Sequence, residues 1–166
     1  MWILFYTKDE AVLNKIKPII YTIFLTGGVA ALIYPSLILG GNENWSFTVD
    51  NIRPAISILF HAVMVLLPVY MITSHYYQPK YKDVFIVETA LIIMMIVVSI
   101  INVLFDSDFF FLNYGEGSPI RELYYQNRLF LFRFLTVVLH IVVIGVVHLS
   151  STFIYQMIIK IKRKTV

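Results

Sequence analysis

Cysteine is absent from all 166 residues, which removes disulfides, zinc–thiolate sites and cysteine nucleophiles from this chain whatever compartment it occupies. Charge is scarce too. Charged residues make up 14% of the chain against 59% apolar ones, more hydrophobic surface than a water-soluble domain of this length can hide. No repeat, low-complexity tract or polar second domain interrupts it. Met1 to Thr7 are apolar, but they are too short for a signal-peptide core and lack a basic leader and a small-residue cleavage site.

What fills the chain instead is four long apolar runs. Crossing about 30 Å of hydrocarbon takes about 20 helical residues, and runs at about residues 18–39, 54–72, 84–105 and 129–159 all qualify. The expected fold is all-α: a polytopic membrane protein, one membrane domain over 1–166, with four transmembrane helices. Pro18 is expected in the first turn of the first span, where its missing donor costs little, and Gly40 and Gly41 are expected to end that span. Gly27 and Ala31 lie four apart on one face, a small-residue pairing that lets a partner helix approach closely. Trp45, between the first two spans, suits a headgroup anchor. The segment 106–128 carries Phe109, Phe110, Phe111, Tyr114, Tyr124 and Tyr125 around Gly115, Gly117 and Pro119, and reads as an aromatic-rich interfacial loop.

The formal charge of +3 does not point to nucleic acid, because the basic residues gather at the ends of the apolar runs and in the tail Lys160, Lys162, Arg163 and Lys164. Nine of the thirteen Lys and Arg residues fall on the face shared by the two termini and the second connection. The positive-inside bias therefore predicts both termini in the cytoplasm, in a protein of the plasma membrane.

Ionisable groups inside hydrocarbon are costly and face protein or a wet cavity, so they are the candidate functional residues. His61 lies within the second span. Its unperturbed pKa near neutrality suits a general base, and the competing reading is a neutral imidazole bonded to a neighbouring helix. Ser99 and Asn102 each fall within about 40° of Glu88 on the third span at roughly 100° per residue. Arg133 and His140, seven apart, are nearly eclipsed on the fourth span, with His148 about 80° round from His140. Glu88, Asn102, Arg133 and His140 are the candidate binding residues. Glu88 and Arg133 each sit near the start of their span, on opposite sides of the bilayer, so Arg133 is expected to meet Asp106 or Asp108 rather than Glu88. The competing readings are a snorkelling interfacial acid for Glu88, a lipid-phosphate clamp or structural ion pair for Arg133, and a helix-packing role for His148.

No metal is expected, since no two histidines stand at helical zinc-site spacing with a carboxylate to complete them. No cofactor is expected either. Gly27-Gly28 and Gly115-Glu116-Gly117 do not form a phosphate-cradling loop with a nearby lysine.

The order of several short stretches resembles the carboxy-terminal two-thirds of the YwaF-type integral membrane family, itself similar to a transmembrane acyltransferase acting on ether phospholipids. They are Phe5-Tyr6-Thr7-Lys8, Leu25-Thr26-Gly27-Gly28, Tyr34-Pro35-Ser36-Leu37, Phe60-His61 with Pro68, and Asn102-Val103-Leu104-Phe105 followed by Asp108 and Asn113-Tyr114. The resemblance implies that His61 is the family's intramembrane histidine, the catalytic partner of a cysteine on an earlier span. That cysteine has no counterpart here. Met1 to Tyr6 is then expected to be the stub of the earlier span, with the nucleophile supplied by another polypeptide or lost.

Three classes of function follow. The first is a subunit or lipid-interacting component of a larger membrane assembly, with membrane lipids and another membrane subunit or a second copy as partners. The second is a lipid acyl-transfer or hydrolase unit using His61 as base. The third is a transporter subunit lined by Glu88, Asn102 and His140. A nucleophile separates the first two, and none is evident.

Overall fold

A computed structural model describes residues 8–33, 52–113 and 120–164. Four long helices account for most of them: α1 (Glu10–Ile33), α2 (Arg53–Thr73), α3 (Asp83–Phe105) and α5 (Leu129–Lys164), with the single-turn α4 (Arg121–Tyr125) and a 3-10 turn (Phe109–Phe111) between the last two. All four long helices are apolar and long enough to cross a membrane, and no strand occurs among the described residues. The chain is an all-α integral membrane protein.

The α1 helix begins well before the apolar run. Asp9 accepts hydrogen bonds at Oδ1 from the amides of Ala11 (2.8 Å) and Val12 (3.4 Å), an N-cap that satisfies donors otherwise orphaned in the first turn. Pro18 therefore lies inside α1 rather than in its first turn. It deprives the Asn14 carbonyl of its donor. Asn14 is exposed, so that carbonyl has access to water or headgroups. Gly40, Gly41 and Trp45 lie outside the described residues.

Helix α1 is the hub, touching α2, α3 and α5, whereas among the described residues α2 packs substantially on α1 alone. Backbone proximity explains the α1–α2 seam. A Cβ on Gly28 would stand 2.8 Å from Val65 Cγ2 and 3.0 Å from the His61 carbonyl oxygen, and one on Gly27 would stand 3.1 Å from Met64 Cε. The small-residue face expected to receive another protein's helix is thus covered by this chain's own α2, with Gly28 at the tightest point and Ala31 buried beside it. In lipid such contact gains dispersion rather than hydrophobic transfer, so closeness of approach is what stabilises it.

On α3 the buried residues Val87, Leu91 and Met95 recur every four positions and meet Ile144 of α5 and Leu112 of the following loop. A second cluster joins Tyr21, Met71 and Tyr77 near the opposite end. Between these clusters and the surrounding lipid, large apolar side chains such as Phe85, Val103, Phe130 and Val146 stay exposed. That is the inverse of a soluble protein's surface and the expected surface in hydrocarbon.

Candidate functional site

Asn102, Arg133 and His140 are brought together by the loop that follows α3. Asp106 closes α3 in the left-handed conformation (φ 51°), with the Ser107 amide bonded to the Asn102 carbonyl, a Schellman-type reversal that folds the chain back over its own helix. The Asn102 side chain, 1% exposed, then holds the returning segment. Its Oδ1 accepts from Ser107 Oγ (3.0 Å) and the Phe109 amide (2.9 Å), and its Nδ2 donates to the Phe109 carbonyl (2.9 Å). An apolar side chain there would leave those loop groups unmet, which is why an asparagine sits in a helix otherwise made of Ile, Val, Leu and Met.

The next residue, Phe110, takes φ 58°, a left-handed conformation that is unfavourable for a bulky side chain. Packing holds it there. Its ring meets the His140 imidazole edge-on at 5.7 Å and leans on the Val87–Ile144 cluster. Asp108 accepts from the Asn113 amide (2.7 Å), and Asn113 Nδ2 donates to the Ser107 carbonyl (3.1 Å).

Arg133 docks on this loop but not on its acids. Its Nε donates to the Leu112 carbonyl (3.2 Å) and Nη2 to Asn113 Oδ1 (3.3 Å), so the expected pairing with Asp106 or Asp108 is replaced by uncharged acceptors further along the chain. The reason is the reversal at Asp106, which presents Leu112 and Asn113 to α5. Remaining guanidinium N–H groups make no bond among the described residues, and the side chain is exposed. It lines a groove of about 390 Å³ whose other walls are Leu129, Phe130, Phe134 and Val137. A cation at the lip of an apolar groove suits a lipid phosphate above an acyl chain.

The three intramembrane histidines differ in which nitrogen is used. A carbonyl oxygen only accepts, so His61 Nδ1–H donates to the Ser57 carbonyl (2.7 Å) and His140 Nδ1–H to the Thr136 carbonyl (2.8 Å), each within its own helix. In both rings Nε2 makes no bond among the described residues. His148 is the reverse case. Its Nε2–H donates to the Lys80 carbonyl (3.0 Å), and its Nδ1 accepts from the Thr22 hydroxyl (2.7 Å). Fully buried, it ties α1, α5 and the α2–α3 connection together, the helix-packing role its position predicts.

Glu88 stands apart from the Asn102 group. Its Oε1 lies 2.9 Å from where a Cβ on Gly145 would be, on the part of α5 nearer His148, about 18 Å along the helix from Arg133. His61 is half-buried on α2, and no hydrogen bond or ring contact among the described residues joins it to Asn102, Arg133 or His140. The sequence stripe therefore splits into three places. No cluster of three or more metal-ligating side chains occurs among the described residues.

Residues that sequence reasoning missed are Thr22, Tyr77 and Asp83. Tyr77 donates to Asp83 Oδ2 (2.7 Å), and its ring meets Tyr21 at 5.2 Å. Burial, with the Asp83 carboxylate beside it, holds the Tyr77 phenol above its ordinary value. Only the acid at the start of an apolar run hinted at this pair.

Four apolar helices around internally bonded polar side chains define a polytopic helical membrane protein. Within that class, residues 1–150 match the model of the TMEM164 family, and the chain belongs to it. Neither the curated proteins nor the solved structures offer a match.

Proposed function

We propose that this protein is a phospholipid-interacting component of the membrane, with Arg133 as the phosphate-binding residue. The supporting observation is the Arg133 guanidinium, anchored on the Leu112 and Asn113 oxygens yet still exposed at the edge of the Leu129, Phe130, Phe134 and Val137 groove. Anchoring lowers the entropy lost when the remaining donors take a phosphate oxygen. Asn102 acts here as a positioning residue, since it sets the loop on which Arg133 rests. Native mass spectrometry of protein released from membranes tests this. Wild type retains a phospholipid, Arg133→Lys retains part of it and Arg133→Gln loses it; equal retention by all three removes the proposal.

A second reading, acyl transfer or hydrolysis on a lipid ester, draws support from His61, whose unbonded Nε2 has the acceptor geometry of a general base. With no cysteine in the chain, a thiol nucleophile would have to come from another polypeptide. Release of labelled acyl chains by the reconstituted protein, abolished in His61→Ala, favours this reading. Absence of release with every candidate partner present rejects it.

A partner subunit or second copy is part of the proposal, and the groups it would serve are Glu88 and the open Nε2 atoms of His61 and His140. The membrane is the plasma membrane and both termini are cytoplasmic in this reading, on the bias of Lys and Arg toward the end that carries Lys80. Because the chain lacks cysteine, Gln78→Cys and Asn127→Cys are clean probes. Impermeant label applied to intact cells should reach Asn127→Cys only.

A further inference from the structure

Neither reading above uses the end of the bundle that carries Lys80. The bond from His148 to the Lys80 carbonyl lies on the side of the bundle where α2 ends and α3 begins, and α5 continues past it to Lys164. At 1.5 Å per residue, residues 155–163 stand about 10 to 22 Å beyond that bond. The headgroup layer outside the hydrocarbon is about 5 to 8 Å deep, and α5 runs through it at this end of the bundle.

There the α2–α3 connection and α5 enclose a groove of about 670 Å³, lined by His75, Gln78, Gln156, Lys160, Lys162 and Arg163 among others. No carboxylate among the described residues lines it. Lys160 and Arg163 make no ion pair among the described residues, and Asp83, the acid that follows the connection, is already bonded to the Tyr77 hydroxyl and the Lys80 amide. His75 ends α2 in the left-handed conformation (φ 58°), tolerated by histidine better than by most residues, and this reversal sets the connection against α5. Beside it, Lys17 Nζ lies 4.3 Å from the Tyr76 ring, adding a further cation at the same end.

We propose that this groove is a second, separate site, for a phosphate-bearing ligand: the headgroup of an anionic phospholipid in the leaflet it faces. Topological charge bias alone needs cations at a helix end; it does not need a concavity. Here cations from α5 converge with the imidazole of His75 and the amide donors of Gln78 and Gln156, from two segments, and no acidic side chain among the described residues lines the groove beside them. Cations and neutral donors without carboxylates form the complement of a phosphate group.

The test uses the full-length protein in uncharged detergent, carrying Arg133→Gln so that the opposite end does not contribute. Thermal unfolding is followed with dioctanoyl-phosphatidylglycerol, dioctanoyl-phosphatidylcholine and inorganic phosphate at equal concentration. The phosphatidylglycerol should raise the midpoint by about 3 °C or more, by mass action on the folded state, and the phosphatidylcholine should not. The shift should vanish in Lys160→Gln/Arg163→Gln and collapse in about 0.5 M salt, where exposed charges are screened. An equal shift with inorganic phosphate keeps the phosphate chemistry and assigns the source to a soluble ligand. Equal shifts with both lipids, no shift with any probe, or a full shift in the double variant or in high salt overturns the proposal. Should the double variant not fold, Lys160→Gln alone, an exposed change, gives the same reading through a reduced shift.

Discussion

At the Lys80 end one buried histidine joins segments 126 and 68 residues away, whereas at the opposite end one buried asparagine gathers a loop five to seven residues ahead of it. Both side chains are almost wholly buried, and every polar side-chain atom of each takes part in a hydrogen bond. They differ in loop length closed. His148 fastens three elements whose mutual position the sequence leaves free, so its loss is felt by the whole bundle. Asn102 shapes a local turn on which Arg133 rests, so its loss is felt by the candidate lipid site.

The largest expected effect is that of His148→Ala. It strands the buried Thr22 hydroxyl, releases the Lys80 carbonyl and leaves a cavity, together about 3 kcal/mol. Thermal unfolding in mild detergent should show a greater fall for it than for any other single change below, and a loss no larger than that of Asn102→Ala would erase the distinction between the two ends. Asn102→Ala should cost about 1 to 2 kcal/mol globally. Its signature is local: amide exchange at Phe109 and proteolysis within 107–113 should rise while α1 and α2 keep their protection, and uniform loosening would contradict a local role.

Tyr77→Phe comes next, at about 1 kcal/mol, because it removes the bond to Asp83 while keeping the ring against Tyr21. It also carries a pH signature. The phenol is held above its ordinary value of 10.0 in the folded chain, so the stability it contributes is intact below pH 10 and declines as alkali draws the proton from the unfolded chain. Melting curves from about pH 8 to 11 should fall more steeply for wild type than for Tyr77→Phe; parallel curves would show that Tyr77 does not carry the difference. The smallest effect is predicted for Gly145→Ala. The added methyl meets only the far end of the Glu88 side chain, which can swing aside, so the midpoint should move by about 1 °C or less. A large loss would mean that the Glu88 carboxylate is fixed there by something the helices themselves do not supply.

The four crossings were legible because length in hydrocarbon admits few alternatives: α2 and α3 start and end within a residue of the apolar runs. The N-terminal limit of α1 was not, since a cap at Asp9 extends a helix through polar residues that hydropathy assigns to a connection. Asn102 stood out as a polar residue in an apolar stripe, yet its partners are backbone groups of a loop, which no side-chain pattern reveals. Arg133 was expected to seek charge. The turn at Asp106 decided otherwise by placing carbonyl and amide oxygens first in its path. Thr22 escaped notice because a threonine in a span is ordinary until a histidine from a distant helix arrives beside it.

Of the four long helices, α1 leaves the ribosome first, and it touches the other three. Synthesis proceeds from the N-terminus, so each later helix enters a bilayer in which its docking surface is already resident. Folding can then follow insertion by successive addition, α2 closing on Gly28 before α3 is made, and α5 arriving last to engage Thr22 through His148. The order of the chain is thereby also a workable order of assembly, with the longest-range bond formed at the final step.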